Sequence, residues 1–118
     1  MRSLLAVVVA LVCVALRAQD RAHVVFVVGE EEYGSAETIP TFAARIQKRL
    51  DLRVTVLRKQ GKQLPELDAL DSADLLVLFL RFRKATDEQF DRLQGWFDAG
   101  KPYVALRTTN HTFINHKN

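Results

Sequence analysis

From residue 23 onward, continuous apolar runs alternate with segments in which apolar positions recur every three or four residues. HVVFVVG (23–29) is an unbroken, largely β-branched run closed by glycine, the pattern of a strand buried on both faces. In the following stretch Ile39, Phe42, Ala43, Ile46 and Leu50 lie at helical spacing. They predict a helix over 40–50 with Pro40 in its first turn, where a missing N–H costs nothing. RVTVLR (53–58) reads as a second strand and LPELDALDSA (64–73) as a short helix or turn. DLLVLFL (74–80) is a third, fully apolar strand. The segment 86–100 opens with Thr86 and Gln89 spaced as a capping box, carries Phe90, Leu93, Trp96 and Phe97 as an apolar stripe, and ends at Gly100. A fourth strand follows over 102–106.

Strand, helix, strand, short helix, strand, helix, strand is the alternation of a parallel sheet with helices on both faces. Right-handed crossovers make the strand order 2-1-3-4, a flavodoxin-like α/β fold. All strand C-termini then share one edge, where ligands of such sheets bind. That edge receives Glu30, Glu31, Glu32 and Tyr33; Lys59 and Gln60; Arg81, Phe82 and Arg83; and residues 107–111. His23, at the start of the first strand, belongs to the opposite edge and reads as structural.

The first residues follow a different pattern. Met1-Arg2-Ser3 is a short basic start, Leu4–Leu16 an unbroken apolar run, and Ala18 a possible cleavage position. Thirteen residues span about 20 Å as a helix, short of the roughly 30 Å bilayer core. Residues 1–18 are therefore expected to be a signal peptide, with 19–118 an exported domain in the periplasm or outside the cell; the alternative is a membrane anchor at residues 4–16. Cleavage removes Arg2 and Arg17, leaving 15 of the 17 Lys+Arg against 14 Asp+Glu, a charge of +1. The basic pI is then no argument for nucleic acid, which would need a basic patch. The single cysteine, Cys13, leaves as well, and with it any disulfide, thiol nucleophile or thiolate ligand.

Three groups could carry chemistry. GEEEYGS supplies three carboxylates and Tyr33 just past a buried strand, able to bind a sugar or a metal, or to flank a glycosidic bond as acid and base. The competing interpretation is a solvated acidic loop. Arg81 directly follows the third strand, Arg83 lies two residues on, and both offer planar donor forks for carboxylate, phosphate or paired hydroxyls. They could equally pair with Glu30 to Glu32 and hold the loops in place. Arg107, Thr108, Thr109, Asn110 and His111 form the third group, at the turn after strand four. A threonine there is a nucleophile only with a base and an orienting group beside it. His111 could be that base, or could cap a helix or hold an anion. His111 and His116 are five apart, which fits no zinc pair, so no metal is expected from this segment. There is no GxGxxG loop, and no cofactor is expected.

The stretches VVFVVGEEEYGS, LLVLFLRFR and DEQFDRLQGWFDAGKPYVALRTTNHTF together resemble the trehalose-utilisation (ThuA-like) family over most of residues 22–113. The resemblance implies a fold similar to the class I glutamine amidotransferases, in which the corresponding fourth strand ends in a nucleophilic cysteine on a sharp turn. Here that position falls at Arg107 or Thr108, so the turn is expected to be retained without the thiol, and glutaminase chemistry is not expected. It further implies a role in carbohydrate metabolism, on keto-sugars or disaccharides, with the reaction undefined. Members of the family continue past this turn with more strands and further His and acidic residues. The chain is therefore expected to be the N-terminal portion of such a domain, with an apolar face left uncovered beside strand four. The ligand-binding candidates are Glu30, Glu31, Tyr33, Arg81, Arg83, Arg107, Thr108 and His111, and the expected partner is a small carbohydrate or carboxylate. A non-catalytic sugar- or anion-binding module, or an inactive fragment of a longer protein, are the rival readings.

Overall fold

A computed structural model describes residues 21–58 and 61–115, so the expectations for residues 1–18, Lys59, Gln60 and His116 lie outside the described residues. Four strands form one sheet: β1 (His23–Gly29), β2 (Arg53–Arg58), β3 (Leu75–Leu80) and β4 (Tyr103–Ala105). The order is β2-β1-β3-β4 and every pairing is parallel. Phe26 stands opposite Val56 on one side and Val77 on the other, which fixes the register of the three longer strands. The α/β class and the 2-1-3-4 order are thus as the alternation of segments predicts.

Side chains of β1 point alternately to two faces, and both are covered. On one face Val24, Phe26, Val28 and Val77 pack against Ile39 and Ala43 of helix α1 (Ser35–Leu50). On the other, Val25, Val27, Leu76, Leu78 and Leu80 pack against Leu93 and Trp96 of helix α2 (Asp87–Asp98), and against Leu64, Leu67 and Leu70. Each fully buried aliphatic side chain contributes about 1.5–3 kcal/mol through removal from water. The two faces together are what hold a chain with no disulfide.

The short helix expected within 64–73 is a 3-10 helix, narrower than the segment, at Asp68–Ser72. The first helix departs further from its expected bounds. Helix α1 begins at Ser35, five residues before Pro40, so the proline lies inside it. An internal proline leaves the carbonyl four residues earlier without its helical donor. That carbonyl belongs to Ala36, and the Arg58 guanidinium at the end of β2 donates to it at 2.5 Å. A side chain from a neighbouring strand thus repairs the break. Helix α2 starts as its local signals predict, with Thr86 and Gln89 forming both bonds of the capping box and Gly100 left-handed (φ 65) just past its end.

At the sheet's outer edge, all three residues of β4 are exposed; Tyr103 rests edge-on against Phe97 at 4.8 Å while Val104 lies on the face away from α2. At the N-terminal edge of the sheet, His23 is buried, its ring within hydrogen-bond distance of Ser72 and Thr55. It joins β1, β2 and the 3-10 stretch, in keeping with a structural role. Among the described residues no helix is long and apolar enough to cross a membrane.

Candidate functional site

The C-terminal edge of the sheet is built from three turns. The first follows β1. Glu30 is buried, and its carboxylate accepts N–H bonds from Glu32 (2.9 Å), Tyr33 (2.7 Å) and Ser35 (2.8 Å). These donors are the start of helix α1 and the loop before it, the place where such folds bind an external anion. Here the chain supplies its own. Burial alone would raise the Glu30 carboxyl, but hydrogen bonds from Ser35 and Tyr33 and the Arg83 charge outweigh it and hold the group below the ordinary glutamate value.

The second turn follows β3. Phe82 sits in the left-handed region (φ 51), which folds the chain back so that Arg83 Nε donates to the Arg81 carbonyl at 2.8 Å. The Arg83 side chain is only 3% exposed; it also donates to the Gly61 carbonyl and lies 3.4 Å from Glu31 Oε1. Its methylenes pack against Gly29, where an added Cβ would come within 3.1 Å of Arg83 Cδ. Arg81 takes the other side, pairing with Glu32 and lying over the Phe82 ring at 4.6 Å. Among the described residues its Nε is buried without a hydrogen-bond partner. Both arginines therefore meet carboxylates of the acidic loop.

The third turn follows β4. Arg107 has φ 42, a strained backbone for a residue with a side chain, and is the first residue of a 3-10 segment, Arg107–His111. Its guanidinium lies 4.3 Å from the centroid of the Tyr33 ring, whose other neighbour is Phe79 in a stacked arrangement at 6.4 Å. The two threonines turn inward: Thr108 Oγ1 donates to the Leu80 carbonyl at 3.3 Å, and Thr109 Oγ1 lies 3.0 Å from the Leu78 carbonyl and 2.7 Å from that of Leu106. His111 is exposed beside Phe82, ring centroids 6.4 Å apart, and its carbonyl accepts the Phe82 N–H.

Six of the eight candidates thus fall into three pairs. Tyr33 and Arg107 stack together; Glu31 and Arg83 pair; Arg81 and His111 flank Phe82. Glu30 serves the loop, and the Thr108 hydroxyl hydrogen-bonds to the backbone, not to His111. Among the described residues no group of three His, Cys, Asp or Glu side chains is placed to hold a metal ion. Among the described residues, crevices of about 470 and 280 Å³ open on this edge, and Glu31 and Arg83 form a wall of each. The larger is also lined by Arg58 and Glu37, which the strand-end reasoning passed over. The one signal for Arg58 was Pro40, whose presence inside a helix demands a donor from elsewhere.

No protein-family profile, no curated protein and no solved structure matches this chain.

Proposed function

We propose that the chain is an exported, ThuA-like domain of the flavodoxin-like, glutamine amidotransferase-like type, and that it binds a keto-sugar, disaccharide or sugar acid in carbohydrate metabolism. The observation that carries this reading is Arg107: an exposed guanidinium on a left-handed residue two positions past β4, at the sheet edge where such folds bind ligands. A residue held at positive φ just past a strand is the geometry of a sharp turn that presents a side chain outward. Tyr33 backs the guanidinium with its ring and leaves its N–H groups for paired hydroxyls or a carboxylate.

Binding is favoured over nucleophilic catalysis by one specific feature. The Thr108 hydroxyl donates to the Leu80 carbonyl, and no base lies on it among the described residues. Arg107 stays protonated and cannot serve as that base. Calorimetry of the full chain with a keto-disaccharide and a sugar acid tests the reading. Arg107→Ala should weaken binding about ten- to a hundred-fold, and Thr108→Ala should leave it nearly unchanged. Turnover that Thr108→Ala abolishes at constant affinity would make the turn catalytic. Mass measurement of the secreted protein should find its N-terminus near Gln19.

A further inference from the structure

Phe82 is unusual on two counts at once. Its φ of 51 is one that a bulky side chain rarely adopts, and it is 42% exposed although a phenyl ring gains more from burial than most side chains. The bend has a use of its own, since it folds Arg83 inward. The ring adds nothing to that bend, which glycine would make without strain. Nor do its neighbours account for it. Arg81 lies over the ring at 4.6 Å, a contact that at an exposed position returns no more than the bend costs. His111, tilted by 36° with ring centroids 6.4 Å apart, borders the ring and leaves it open to solvent. Backbone strain held beneath an exposed side chain is characteristic of ligand sites. Phe82 also forms the aromatic wall of the 280 Å³ crevice at this edge.

We propose that Phe82 is the platform for a pyranose ring, whose flat C–H face stacks on the phenyl while its hydroxyls reach the paired charges beside it. The rest of the crevice suits a neutral polyol. Glu31 lies 3.4 Å from Arg83 and 3.9 Å from Lys62, and Glu32 pairs with Arg81, so its carboxylates and cations already match one another. A hydroxyl both donates and accepts, and can bond to either member of such a pair without displacing the other. A charged ligand would first have to break a pair. An aromatic wall joined to a few fixed polar groups is the usual make-up of a small-molecule site. Arg83, buried and bound to two backbone carbonyls, is the fixed part here. Resting on the carbohydrate reading, this assignment gives the edge a second subsite, one for a ring, beside the Arg107 turn. The 3-10 segment that begins at Arg107 ends at His111, next to Phe82.

Calorimetric titration of the full chain with cellobiose, a neutral sugar whose two rings present flat C–H faces, and with gluconate, an open-chain sugar acid, tests the assignment. Cellobiose should bind, and Phe82→Leu, which keeps an apolar side chain without a flat face, should weaken it at least about tenfold. Phe82→Trp should retain it. Gluconate has no ring, so its binding should fall with Arg107→Ala and not with Phe82→Leu. Phe82→Gly releases the strain and should resist urea better than Phe82→Leu while binding cellobiose as weakly. A ring with a purely structural role would not give a more stable protein that binds less. Cellobiose affinity indifferent to Phe82→Leu, or cellobiose and gluconate weakened alike by it, would overturn the assignment. Gluconate bound through Arg107 with no cellobiose bound would overturn it and leave the carbohydrate reading standing; neither ligand bound would overturn both.

Discussion

The turn after β3 and the turn after β4 begin alike and end differently. Each follows an apolar strand, each bends through a left-handed residue, and each carries arginine. After β3 the left-handed residue is Phe82, and the next residue, Arg83, folds inward until it is 3% exposed, bound to two backbone carbonyls and Glu31. After β4 the left-handed residue is Arg107 itself, and its side chain stays in solvent over Tyr33. A guanidinium one step past the bend becomes part of the framework; one on the bend remains available. The comparison separates arginines that build this sheet edge from those that can serve a ligand, a distinction that charge at a strand end does not make.

The strongest test of that separation removes the framework arginine. Arg83→Met keeps the stem that packs on Gly29 but leaves the Gly61 and Arg81 carbonyls without their donor. Urea denaturation should show a loss of about 3 kcal/mol, in the range for breaking a buried, hydrogen-bonded charge. A loss below the ordinary surface range of about 0.5 kcal/mol would place Arg83 with the ligand-serving arginines instead.

Glu30 sharpens the comparison on the loop that both turns face. Replacing it by Gln removes the charge that three backbone N–H groups share, with an expected cost of about 1.5–3 kcal/mol. The pH dependence has a definite sign. The folded-state pKa is depressed below the ordinary value of 4.5, so the unfolded chain takes up this proton first as the pH falls. The stabilisation is complete above pH 4.5 and is lost as the pH drops through the lowered folded value. Acid unfolding curves of the wild type should therefore show a component in that window that is missing from Glu30→Gln.

What could be read in the sequence followed the range of the interactions. The strands β1 and β2, the order of the sheet and the capping box at Thr86 rest on neighbours along the chain or on runs of apolar residues, and these were legible. The start of α1 was not. Its N-terminus depends on Glu30 reaching forward to Ser35, and its passage through Pro40 depends on Arg58, 22 residues beyond the carbonyl it serves. Gly34, at the helix boundary, provides no side-chain cap of its own. At the site, Arg81 and Arg83 were indistinguishable as residues two apart after a strand, and the sequence reading left open whether they pair with the acidic loop or serve a ligand. Only the left-handed Phe82 between them sends one into the interior and leaves the other against Glu32.

The smallest expected effect tests the bend at Arg107 itself. A residue with a Cβ at φ 42 costs roughly 1 kcal/mol relative to glycine, whereas an exposed guanidinium over a ring returns about 0.5–1 kcal/mol. These two terms nearly cancel in the native protein, so a single substitution cannot separate them. Two can. Arg107→Ala removes the contact with Tyr33 and keeps the strain; Arg107→Gly removes both. The glycine variant should be more stable than the alanine variant by about 1 kcal/mol in urea denaturation, although glycine is ordinarily the less stable of the two outside the left-handed region. The reverse order would mean that the turn is not held at positive φ in solution. The side chain at 107 would then not be aimed by its backbone, and the contrast with Arg83 would rest on burial alone.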